Sequence, residues 1–174
     1  MKKVLLALVA AVVFAGVSFA TTPIQLFLWD KIAIPADNAV AGIELGIGSN
    51  LSSVTGLQWN LIWAKTNDAP IAWQIGLLGQ VTGNFTGLQG AFVTYNTGSV
   101  TGLQGAAVNY GGDFTGLHFG FLNYNKTLTG IAFGFINYAE SAGDFAIQIG
   151  LINYIGNSSI KVLNGWFPFI NAKI

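Results

Sequence analysis

The chain carries a single imidazole, His118, and few other groups that could do chemistry. A metal centre built on that ring would need Cys, His or carboxylate partners at short spacing, and none flanks it. There is no Cys, so disulfides, thiol catalysis and thiolate metal sites are excluded. Asp113, Glu140 and Asp144 lie between apolar stretches, too scattered for a carboxylate pair or a calcium loop. No Ser stands in a nucleophile elbow, and no Gly-rich loop carries a Lys for phosphate. The sequence therefore assigns no catalytic residue, no metal ligand and no cofactor, and an enzyme is not expected.

Two chemical groups stand out instead by their position in a repeat. Eight ten-residue units begin at Ala41, Thr55, Ile71, Thr86, Thr101, Thr115, Thr129 and Phe145. The unit from Thr115 to Tyr124 reads TGLHFGFLNY. The fourth place of successive units holds Glu44, Gln58, Gln74, Gln89, Gln104, His118, Ala132 and Gln148. His118 thus stands where other units have Gln, which favours a hydrogen-bonding role over a ligand role. Glu44 is the only acid inside any unit. It could tune the charge of an interior, pair with His118, or sit as a solvated rim acid.

The elements that position these groups are strands. Apolar residues alternate through each unit, which is the period-2 signal. The third, fifth and seventh places form one greasy face, as in Leu117, Phe119 and Phe121. The second, fourth and sixth places form a small, polar face, as in Gly116, His118 and Gly120. Linkers of four to six residues, such as TNDAP, NTGSV and GGDF, are rich in turn-forming types. Ile24 to Asp30 can add a strand before the units, and Ile160 to Ile174 another after them, bent at Pro168.

Composition bears on the solvent of this sheet. Charged residues are only 8 % of 174, against roughly 25 % in ordinary soluble domains. Seven Lys and no Arg are too few to grip phosphates, so nucleic acid is not an expected partner. A greasy sheet face must be buried. The first expectation is an all-β, antiparallel up-and-down β-barrel of about ten short strands, of membrane type, with the greasy face in lipid. Its lumen would be lined by Glu44, Gln58, Gln74, Gln89, Gln104, His118 and Gln148, plugged by those side chains or left as a narrow pore. The alternative is a β-solenoid of tandem repeats, an exported binding or adhesion module. Two recurrences bear on the choice. Asn109, Asn123, Asn137 and Asn153 hold the ninth place, and Tyr95, Tyr110, Tyr124, Tyr138 and Tyr154 the tenth. A solenoid would stack them in register, whereas an antiparallel barrel would alternate them between its rims. Tyr at the tenth place also has the parity of the polar face, which does not suit a lipid-facing girdle. Strand direction decides between the two folds.

Residues 1–20 read as a secretory signal. Lys2 and Lys3 precede an apolar run from Val4 to Val17, then small residues at Ser18 and Ala20. Residues 21–174 then form one repeat-built β domain. Export without Cys fits a bacterial envelope, either the outer membrane or the cell surface. Membrane lipid is the expected partner.

Units of the form Gly-Leu-Gln-x-Gly-Leu-x-Asn behind a signal peptide resemble the bacterial surface-repeat proteins. Ile147 to Tyr154 (IQIGLINY), Phe119 to Tyr124 (FGFLNY) and Phe133 to Tyr138 (FGFINY) carry the resemblance. The opening IQLFLWDKIAIPADNAVAGIELGI and the closing PFINAKI are similar to that family's ends. Thr86 to Tyr110 departs from the pattern, because LQGA replaces LQxG. The resemblance implies an envelope or surface location and brings no catalytic residue.

Overall fold

The computed structural model describes residues 21–160 and 165–174, so the expected signal segment at 1–20 lies outside the described residues. Six elements form one sheet in the order β2-β1-β3-β4-β5-β6. They are β1 (Thr22–Trp29), β2 (Ile32–Ile34), β3 (Ala39–Val81), β4 (Asn84–Gly105), β5 (Val108–Ile155) and β6 (Trp166–Lys173). β3 has 43 residues and β5 has 48. Laid straight at ~3.3 Å per residue they would each exceed about 140 Å. They wind instead, and each stretch pairs with the turn before it.

The pairing is parallel between β1 and β3, β3 and β4, and β4 and β5. Trp73 lies opposite Leu88, and Leu103 opposite Leu117. One turn therefore takes about 15 residues, a unit plus its linker. The molecule is a β-solenoid of about seven turns. This corrects the antiparallel barrel. Alternation fixes which side chains share a face but not the direction of the neighbouring strand. The linkers TNDAP, NTGSV and GGDF are not hairpin turns either. They lie inside β3, β4 and β5 and carry the chain back around the coil. Antiparallel pairs occur only at the ends, where β2 folds on β1 and β6 on β5.

The second place of the unit shows why the coil stacks so closely. Gly102, Gly116 and Gly130 have φ of 136°, 134° and 123°. A Cβ on Gly116 would also overlap the carbonyl oxygen of Gly102 in the turn below. Only Gly meets both conditions.

Side-chain parity reverses at a corner of the coil. The N–H groups of Phe121 and Leu122 both donate to the Ala107 carbonyl, each at 3.0 Å. Two successive residues thus share one partner, in the manner of a bulge. Before this corner the even places point in. After it Asn123, at the ninth place, points in, and its neighbours Leu122 and Tyr124 point out. That reversal puts Asn123 inside and Tyr124 outside, which simple alternation does not give.

The interior holds the fourth-place column, the Asn column and an apolar column of Phe85, Val100, Phe114 and Leu128, all buried. The greasy odd places point outward.

Candidate functional site: a buried amide network inside an apolar wrap

The seven residues expected to line a lumen are all buried, at 0 % or 1 % exposure. They fill the centre of a solenoid rather than a barrel, so neither a barrel lumen nor a pore through it exists here. Their side chains form a ladder. Gln74 Nε2 donates to Gln58 Oε1 at 2.8 Å, Gln89 to Gln74 at 2.6 Å, and Gln104 to Gln89 at 2.7 Å. Gln58 Nε2 continues to Ser49 Oγ, which donates to Glu44 Oε2.

A second ladder runs the other way. Asn109 Nδ2 donates to Asn123 Oδ1 at 2.8 Å, Asn123 to Asn137 at 2.7 Å, and Asn137 to Asn153 at 2.8 Å. Each Asn also donates to a backbone carbonyl of the following turn: Phe119, Phe133, Ile149 and Phe167 in order. Thr94 joins the ladders. It accepts from Gln104 Nε2 at 2.7 Å and donates to Asn109 Oδ1 at 2.8 Å. One hydrogen-bonded path therefore runs from Glu44 to Asn153, with the Gln104 amide as its source of donors in both directions. The Asn members were visible in the sequence as a ninth-place recurrence. Ser49 and Thr94 gave no such signal, because each occurs in one turn only.

The two unusual members of the Gln column sit far apart. Glu44 and His118 are separated by five rungs, about 24 Å at ~4.8 Å per rung, so they do not pair. Burial pushes the Glu44 carboxyl up to about 7. Its Oε2 accepts from Ser49 at 3.2 Å and Asn60 at 2.8 Å. Its Oε1 has no partner, and neither does Oε1 of Gln25, its neighbour across the β1–β3 pair. Burial thus favours the neutral acid. Burial drives the His118 ring the opposite way, down to about 3, so it is neutral across the physiological range. Phe114 stacks on it with ring centroids 4.3 Å apart. Among the described residues, no three Cys, His, Asp or Glu side chains gather where a metal ion could be held. The interior is a stack of neutral amides, most of them hydrogen-bonded from turn to turn.

The outer surface has two parts. Tyr95, Tyr110, Tyr124, Tyr138 and Tyr154 form a continuous stack, with successive centroids 4.6 to 5.3 Å apart. The ring faces are used on one another, so edges and hydroxyls meet solvent. The Tyr124 hydroxyl donates to the Glu140 carboxylate, which pushes the phenol up to about 12. With Lys126 these groups line a shallow groove of about 290 Å³.

The larger part is apolar. Leu61, Trp73, Phe92 and Phe121 are each 59–63 % exposed, among many others. Phe119 stacks on Phe133 and Phe121 on Phe135. The band continues around the corner onto the eighth place, where Ile62, Leu78 and Ile152 are also exposed. No charged side chain interrupts it from the third place to the eighth. The charges Asp68, Asp113, Lys126, Glu140 and Asp144 lie on the linker edge, away from this corner. Compared with family models, with curated proteins and with solved structures, the chain matches none.

Proposed function

We propose that the chain is an exported β-solenoid of the bacterial envelope that adheres to a lipid surface through its apolar wrap. One observation carries this reading: large apolar side chains are exposed on both faces that meet at a single corner of the coil. A flat protein partner would cover one of those faces. An apolar medium entered corner-first covers both. Burying each such side chain contributes about 1.5–3 kcal/mol, so a few are enough for stable attachment. The backbone suits this medium, because its N–H and C=O groups along the coil are paired between turns. The charged linker edge would stay in water. The signal-like residues 1–20 and the missing Cys support export.

The test is flotation of the purified chain with vesicles of neutral phosphatidylcholine in 1 M salt, which removes simple charge attraction. The chain is expected to float. Emission from Trp59 and Trp73 is expected to shift to the blue and to be quenched by lipids brominated near the headgroup. Replacing Leu77 and Phe121 together by Asp is expected to abolish flotation while leaving the circular dichroism unchanged. A chain that remains monomeric in detergent-free buffer and does not float would sink the reading. A stable dimer without flotation would transfer the wrap to a second copy.

A further inference from the structure

The Gln column is interrupted once below His118. A Cβ on Gly130 would overlap the carbonyl oxygen of Gly116, and one on Gly150 that of Gly134. These contacts fix the stacking order, so His118, Ala132 and Gln148 occupy three successive rungs. Ala132 lacks the four heavy atoms beyond Cβ that Gln supplies in most other turns. Around this rung four buried atoms have no partner within the protein: His118 Nε2, Gln148 Oε1, Gln148 Nε2 and Asn125 Oδ1. All three residues are at most 1 % exposed. Leaving a buried amide without any hydrogen bond is costly, and Gln148 has none within the protein, so the site calls for a partner.

The protons on this site can be assigned. Asn125 Nδ2 lies 3.3 Å from His118 Nδ1. With the Asn125 amide turned this way its nitrogen donates, so Nδ1 accepts. The ring is neutral because burial has driven its titration down to about 3. Its one proton is then on Nε2, which is an unpartnered donor. The Gln148 amide presents one acceptor and its donors, and Asn125 Oδ1 a second acceptor. No charge faces the site, so neither a cation nor an anion is matched by it. Its span, two rungs of ~4.8 Å, is too long for a direct bond between His118 and Gln148. A small neutral molecule that accepts and donates is what these atoms need.

We propose that the interior at Ala132 is a water-binding site, in which one or two molecules link His118 Nε2 to the Gln148 amide and to Asn125 Oδ1. The first water accepts from His118 Nε2–H and passes its own protons to the Gln148 and Asn125 carbonyls. The unpartnered atoms supply the two to four polar partners that a buried water needs. It replaces, turn for turn, the hydrogen bonds that a Gln would have made.

The test uses the full chain without a His tag, so that His118 is the only imidazole. Long-range ¹H–¹⁵N correlation reports the tautomer, and Nε2–H is expected. Water cross-peaks are expected to the Hε2 proton of His118 and to the side-chain amide of Gln148. An Nδ1–H tautomer, or an Hε2 resonance without a water cross-peak, overturns the proposal. A second variant removes dependence on one spectrum. Ala132→Gln should displace the water, erase those cross-peaks and raise Tm by about 2–4 °C. Ala132→Leu fills the same space without hydrogen bonds and should lower it. A Tm for Ala132→Gln below that of Ala132→Leu also overturns the proposal.

Discussion

The two amide columns inside the coil look alike and behave differently. In the Gln column, Gln74 donates to Gln58 and accepts from Gln89, and its bond to the backbone, at the Gln80 carbonyl, is long at 3.5 Å. In the Asn column, Asn123 makes the same two kinds of bond, and its third, to the carbonyl of Phe133, is short at 2.9 Å. The third bond falls at the corner, where the bulge takes backbone groups out of the regular ladder. Gln is long and fills the centre. Asn is short, sits against the backbone, and holds the corner that reverses parity. The difference teaches that filling an interior and fixing a bend are separate tasks, even when both are done by amides.

That contrast can be broken by mutation. Asn123→Ala should be the more severe change, costing about 4 kcal/mol, because three bonds are lost and their partners stay buried. Urea denaturation would measure it against the unmodified chain. A loss no larger than that of a Gln variant would remove the distinction between the columns.

The next effect is set by pH. Glu44 is the one ionisable member of the Gln column's N-terminal end. Its carboxyl titrates near 7 in the fold against 4.5 in the open chain. It therefore supports folding fully below about pH 4.5, and that contribution is lost as pH rises through 7, by on the order of 3 kcal/mol. His118 acts in the opposite sense. Its folded value lies near 3 against 6.5, so its contribution is present above 6.5 and is lost as pH falls toward 3. Glu44→Gln extends the Gln column and removes its titratable group. Thermal melts from pH 4 to 9 should then show the alkaline fall flattened and the acid fall intact. An unchanged alkaline limb would assign that fall to another group.

The smallest effect belongs to Gln74→Ala, at about 2 kcal/mol. It removes one rung from the filling column and leaves the corner untouched. Tm measured beside Asn123→Ala gives the comparison directly.

Much of this arrangement is legible in the sequence, and the reasons for the rest are physical. The inward set from Glu44 to Gln148 follows from alternation before the corner. The outward greasy set, including Trp73 and Phe121, follows from the same rule. Tyr124 does not, because Phe121 and Leu122 share the Ala107 carbonyl and the count slips by one. No local residue type announces such a slip. Strand direction is also absent from alternation. It was carried by the identical placing of Asn and Tyr in unit after unit, which only turns running the same way can stack. The linkers misled for a related reason. GGDF has the composition of a turn, yet Asp113 and Phe114 pair with Ser99 and Val100 as strand residues. Gly at a coil corner serves close approach as readily as chain reversal.

The reversed strands at the two ends bear on how large the object can become. A pile of like rungs is a template, since every added rung exposes the same edge for another. Here the last edge belongs to β6, which runs against β5 and carries Pro168, a residue with no N–H to offer. At the other end the edge is the three-residue β2, also reversed. Each end thus presents a reversed strand in place of another coil rung. The run of like parallel rungs is therefore broken at both described ends.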